Sequence, residues 1–143
     1  MNTAEQLTQI FRDNFVAYFR SHVAHVNITG RNFRSDHKLL QGIYERRQAE
    51  IDKIGEILRT MDEYMPCDLN EVIAESHIDT GELAGSADFL LEMVQEDLEH
   101  LLEEYKQLIE IASEEELEEI SNYAQDQALD IEKSLWMLRS TLA

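Results

Sequence analysis

Apolar residues recur every three or four positions through most of the chain, the spacing that gathers them on one face of an α-helix. Leu7, Ile10, Phe11, Phe15, Tyr18, Phe19, Val23 and Val26 follow Thr3-Ala4-Glu5-Gln6, which has the form of a capping box. A first helix is therefore expected to open at Thr3 and to close at Gly30. A second begins between Asn32 and Ser35, and Leu40, Tyr44, Ile51, Ile54, Leu58 and Met61 carry its stripe to the approach of Pro66. Its length of about 28 residues exceeds that of most globular helices. Asp68-Leu69-Asn70-Glu71 is another capping box, and it opens a short helix that His77, Asp79, Thr80 and Gly81 bring to an end. From about Leu83 the spacing resumes through Leu90, Val94, Leu98, Leu101, Tyr105, Leu108 and Ala112. Ser113-Glu114-Glu115-Glu116 then caps a last helix, whose stripe runs from Leu117 and Ile120 to Leu138 and Leu142. No segment has the period of two that a strand requires. Four long helices, the middle pair joined by a connection of roughly twenty residues carrying a short extra helix, predict an all-α four-helix bundle with a long crossover.

Composition narrows the class. At 143 residues with 43% apolar positions, five Gly and one Pro, the chain suits one helical domain spanning 1–143. Met1 to Arg12 shows no basic start followed by an apolar run, and no stretch approaches a membrane span, so a cytoplasmic protein is expected. Cys67 stands alone, which rules out an intrachain disulfide and fits a reducing compartment. Thirty acidic against twelve basic residues give a formal charge of −18. Such a surface repels phosphate backbones, so DNA is an unfavourable partner, while the same acidity keeps the protein soluble and attracts cations. No glycine-rich phosphate loop, nucleophile elbow or paired-cysteine motif is present, which leaves hydrolases and nucleotide-dependent enzymes without support.

The candidate chemistry lies on the second helix. Asp52 and Glu56 are an i,i+4 pair and so form a two-carboxylate platform on one face. His37 is fifteen residues upstream of Asp52, about 22 Å along the axis but only about 60° away in rotation. It points to the same side yet cannot share an ion with those carboxylates within one chain. A second copy packed antiparallel would set its carboxylates opposite His25 and His37 of the first, and two-fold symmetry would then make two identical sites. Other residues read as structural. His22, one turn before His25, suits packing beside a site; Asp97 and His100 form an i,i+3 pair, but Asp97 with Glu96 and Glu99 resembles an exposed face; His77 falls in the crossover surface, and Trp136 and Met137 in the core or an interface.

The bundle's wiring is that of ferritin-like folds, and the segment His25-Val26-Asn27-Ile28-Thr29-Gly30-Arg31-Asn32-Phe33, followed by His37 and by Asp52-Lys53-Ile54-Gly55-Glu56, resembles the Dps-like miniferritins without a gap. Glu104-Tyr105-Lys106-Gln107 and Glu132 to Arg139 are also similar to that family, so the resemblance covers nearly the whole chain. It implies a hollow homododecamer built from two-fold dimers, which binds Fe(II), oxidises it with hydrogen peroxide or dioxygen as a ferroxidase, and stores ferric iron. It implies metal ligands His25 and His37 from one chain with Asp52 and Glu56 from its mate, and an acidic three-fold pore to which Glu118 belongs. Departures are visible. Val26 replaces the family's usual Trp, Lys38 and Gln41 stand where acids are common, and Ile57 stands where Arg is common, so occupancy of a second iron position is in question. Two alternatives follow from the same resemblance, a DNA-binding protector and a structural shell with weak iron activity. Members that bind DNA often use basic tails, but Met1 to Gln6 has no Lys or Arg and no basic residue follows Arg139, so tight DNA binding is not expected.

Overall fold

The computed structural model describes all residues, 1–143, as helices and their connections. α1 (Thr3–Asn27), α2 (Phe33–Thr60), α4 (Ala87–Glu114) and α5 (Glu118–Leu142) form the bundle, and the short α3 (Leu69–Ala74) rides in the crossover. α1 packs on α2, α4 on α5, and α1 on α4. A Cβ placed on Gly30, just before α2, would lie 3.9 Å from Ala87 Cβ at the start of α4. The crossover therefore carries the chain back to the end where α2 began. At the opposite end Glu115 accepts hydrogen bonds from the Thr3 amide, at 2.6 Å, and from the Thr3 hydroxyl, so α1 runs against α4.

The helix stripes bury as their spacing implies. Leu7, Ile10, Leu40, Ile54, Leu58, Leu101, Leu108 and Leu138 lose essentially all solvent contact. Each such side chain contributes about 1.5–3 kcal/mol of transfer free energy. Phe19, at 61% exposure, and Val26, at 62%, belong to the α1 stripe but face outward. Trp136 and Met137 are also exposed, which removes them from this chain's core.

Several ends differ from the expectation. The cap of α1 is Asn2, not Thr3: its side chain accepts from the Glu5 amide at 2.8 Å and Glu5 returns to the Asn2 amide, which frees Thr3 to meet Glu115. No capping box opens α5. α4 continues through Ser113 to Glu114, because nothing before that point breaks a helix, and Leu117 at the start of α5 has no side-chain acceptor. The reversal uses a left-handed residue, Glu116 at φ 61, with the Leu117 amide bonded to the Ala112 carbonyl at 2.8 Å. Asp68 does cap α3, through bonds to the amides of Asn70 and Glu71. The crossover is held on α1 by Arg12 to Glu71, by Gln9 to the Glu75 carbonyl at 3.0 Å, and by burial of Val72 and Ile78.

Candidate metal centre

His25 is in the last turn of α1 and His37 in the first turns of α2, and the α1–α2 turn brings their rings together. That turn needs Gly30, whose φ of +127° strains any side chain. The rings stack at 3.7 Å between centroids and 14° between planes. His25 Nδ1 lies 2.7 Å from the His37 carbonyl, and His37 Nδ1 lies 2.7 Å from the His25 carbonyl. A carbonyl only accepts, so each Nδ1 carries the proton and donates. In the neutral rings this leaves both Nε2 lone pairs free, with orientation fixed by reciprocal backbone bonds, the arrangement that metal-binding histidines commonly have.

Asp52 and Glu56 sit side by side and exposed on the far half of α2. A hydrogen bond to Asp52, with that residue's charge next, raises the Glu56 carboxyl above its ordinary value. Two carboxylates so close favour a proton or a cation between them. Within one chain the structure brings together His25 with His37 and Asp52 with Glu56, and it keeps the two pairs apart along the helix. Glu118 is the exposed first residue of α5, where it accepts from the Ser113 hydroxyl at 3.1 Å.

The surroundings refine the sequence reading. His22 stacks on Tyr44 at 4.0 Å and its Nδ1 meets the Tyr18 hydroxyl at 3.0 Å, so it packs beside the pair. Tyr44 is also 5.0 Å from the His25 ring, and Phe33 stacks on His37 at 5.0 Å. Aromatic rings thus flank the histidines although Val26 is aliphatic. The i,i+4 step from Leu40 to Tyr44 hid this, because it reads equally as core. Gln41 is turned away toward Glu45, to which it donates at 2.9 Å.

Asp97 is the clear misreading. It is buried, not exposed, and pairs with Arg20 of α1 at 2.7 Å. Burial nonetheless raises its carboxyl to about 6, against the lowering effect of Arg20. His100 turns instead toward Asp13 and Glu104, at 3.3 and 3.4 Å, and His77 of the crossover approaches the same two carboxylates. The sequence carried no signal for this group beyond the i,i+4 spacing of His100 and Glu104.

A four-helix bundle whose long crossover leaves its second and third long helices parallel, with histidines at the α1–α2 turn and carboxylates on α2, defines the ferritin-like class. The profile of the ferritin-like domain matches residues 4–143. A Helicobacter pylori protein named DNA protection during starvation protein is 31% identical over the full length of both chains. The crystal structure of Helicobacter cinaedi CAIP superposes with a TM-score of 0.92 at 27% identity, covering 99% of this chain and all of that one. The Dps of Vibrio cholerae, described as a member of a broad superfamily of ferritin-like diiron-carboxylate proteins, superposes at 0.93 with 23% identity, over 99% and 89% of the two chains, and carries the fold alone. The chain belongs to the ferritin-like family and, within it, to the Dps-like miniferritins.

Proposed function

We propose that this protein binds Fe(II) between paired chains, oxidises it there, and retains the ferric product inside a homododecameric shell, in the cytoplasm. The observation that carries the reading is the reciprocal His25–His37 pair, with both Nδ1 atoms committed to backbone carbonyls. His25 and His37 of one chain would hold Fe(II) through Nε2, and Asp52 and Glu56 of the mate would supply the negative charge that favours the ferric state. Iron is the substrate. Two Fe(II) ions each give one electron to hydrogen peroxide, which takes up two protons and leaves as two water molecules; dioxygen is the other oxidant. The outward-facing Phe19 and Val26, seven residues apart on α1 next to His25, supply apolar surface for burial against a second copy. Glu118 would stand where cations enter a three-fold pore.

The relative's name brings DNA protection into view. With −18 on every chain, protection by removing Fe(II) and peroxide fits better than coating the duplex. The decisive measurement is stopped-flow oxidation of Fe(II) under peroxide in the assembled protein. His37→Ala combined with Asp52→Ala should slow it at least about tenfold, the scale expected when metal ligation is lost. An unchanged rate would remove the centre, and a shell without iron activity would be the reading left.

A further inference from the structure

A second group of metal-binding side chains lies within a single chain, away from the carboxylates of α2. Asp13 of α1, His77 of the crossover, and His100 and Glu104 of α4 present donor atoms that all fall within 4.8 Å of one another. His100 Nε2 is 3.3 Å from Asp13 Oδ2 and 3.4 Å from Glu104 Oε1, and His77 Nδ1 is 3.8 and 3.9 Å from the same two carboxylates. A regular tetrahedron with metal–ligand bonds of about 2.0–2.1 Å has edges of about 3.3–3.4 Å. An octahedron of such bonds has adjacent-ligand edges of about 2.9 Å, shorter than any of these four. The group therefore has nearly the dimensions of a four-coordinate site.

Two independent features point to a ligand. Glu104 is only 6% exposed, and its Oε1 has no hydrogen-bond partner. A buried, unpaired carboxylate oxygen beside a second carboxylate is costly, and a cation between the two offsets that cost. Asp13 is also pre-oriented. Its Oδ1 accepts from the His77 amide at 2.6 Å and the Ser76 hydroxyl at 2.8 Å, while Gln9 donates to Oδ2 at 3.2 Å, which turns Oδ2 toward the histidines. Outer hydrogen bonds of this kind hold a metal ligand in place. The His77 side chain is more than half exposed, so an ion can arrive from solvent.

We infer that Asp13, His77, His100 and Glu104 form an intrasubunit site for a four-coordinate divalent cation of the Zn(II) type, which ties the crossover to α1 and α4. Four protein ligands leave no open coordination position, so the role is structural and the site turns over no substrate. It shares no residue with the α2 centre and does not depend on that reading.

The test is titration of Co(II), whose visible absorption reports coordination number, into the assembled Asp52→Asn, Glu56→Gln double variant. Neutral amides there weaken the α2 centre. The expected result is one Co(II) per chain with the intense absorption of a four-coordinate ion, displaced by Zn(II). Adding Glu104→Gln should lower the affinity at least about tenfold. Circular dichroism and elution volume check that the variant is folded and assembled, and His100→Asn replaces it if it is not. Failure to saturate with Co(II), weak six-coordinate absorption, or an isotherm unchanged by Glu104→Gln and by His100→Asn would each overturn the site.

Discussion

At the scale of the residue, the pairing of His25 with His37 and of Asp52 with Glu56 was legible and the polar interior was not, and Asp97 shows why. Its neighbours Glu96 and Glu99 are charged, so a charged face was the natural reading; what buries Asp97 is Arg20, 77 positions earlier, which no local pattern announces. The two pairs were legible because spacing across one turn, and along one helix, relates their members. Asp13, His77 and His100 come from three separate elements and had no such relation. The buried Asp97 also makes a pH prediction. Its folded value of about 6 lies above the ordinary 3.8, so between those values the folded state holds more protons than the unfolded state. Stability from this residue is present below about pH 4 and is lost as pH rises through 6. Asp97→Asn removes that dependence. Over the window from pH 4 to 7, the denaturation free energy of the wild type should fall relative to that of the variant by about 1–3 kcal/mol, and parallel curves would show that Arg20 fully compensates the burial.

Among the elements, the helices themselves followed from periodicity, and α2 spans 28 residues as its stripe implied. Their ends were less legible because two of them close without glycine. α2 ends through Asp62 at φ 62, with the Glu63 amide on the Leu58 carbonyl at 3.0 Å, and α4 ends through Glu116 at φ 61 in the same pattern. Glycine is the usual signal for this turn, since a side chain in the left-handed region is strained by about 1–2 kcal/mol. Asp and Glu gave no such signal. Glu116→Gly should therefore stabilise the protein by about 0.5–1 kcal/mol after the added freedom of the unfolded chain is allowed for. Asp62→Gly should gain less, because Asp tolerates this conformation better. Denaturation midpoints at one fixed protein concentration give both values, and a loss at Glu116 would mean that its side chain has a partner in the assembly. The crossover is the third case. Its capping residue Asp68 was readable, whereas its anchorage on α1 through Gln9, Arg12 and Asp13 was not, because those polar residues sit among the α1 apolar stripe and read as its solvent face.

For the whole molecule, charge and the proposed division of the centre between chains give the two remaining predictions. At −18 per chain, an assembled shell should not retard duplex DNA in a gel at about 150 mM salt, where few phosphate contacts are available to be gained. Retardation that weakens steeply with salt would reveal a local basic patch and restore the DNA-binding alternative. The proposed division between chains has a sharper consequence. His37 and Asp52 lie about 22 Å apart along α2, so one chain cannot bring them to one ion. In a two-fold dimer formed from one His37→Ala chain and one Asp52→Ala chain, one site loses both its histidine and its carboxylate, and the other keeps all four residues from intact contributions. Each single variant assembled alone has only damaged sites. Dissociating the two, mixing them in equal amounts and reassembling them makes half of all dimers mixed, so about a quarter of sites become whole. Fe(II) oxidation should then recover to about a quarter of the wild-type rate, although neither parent is active. If the mixture stays as slow as its parents while its elution matches that of the wild type, the ligands do not come from two chains, and the centre must be sought within one.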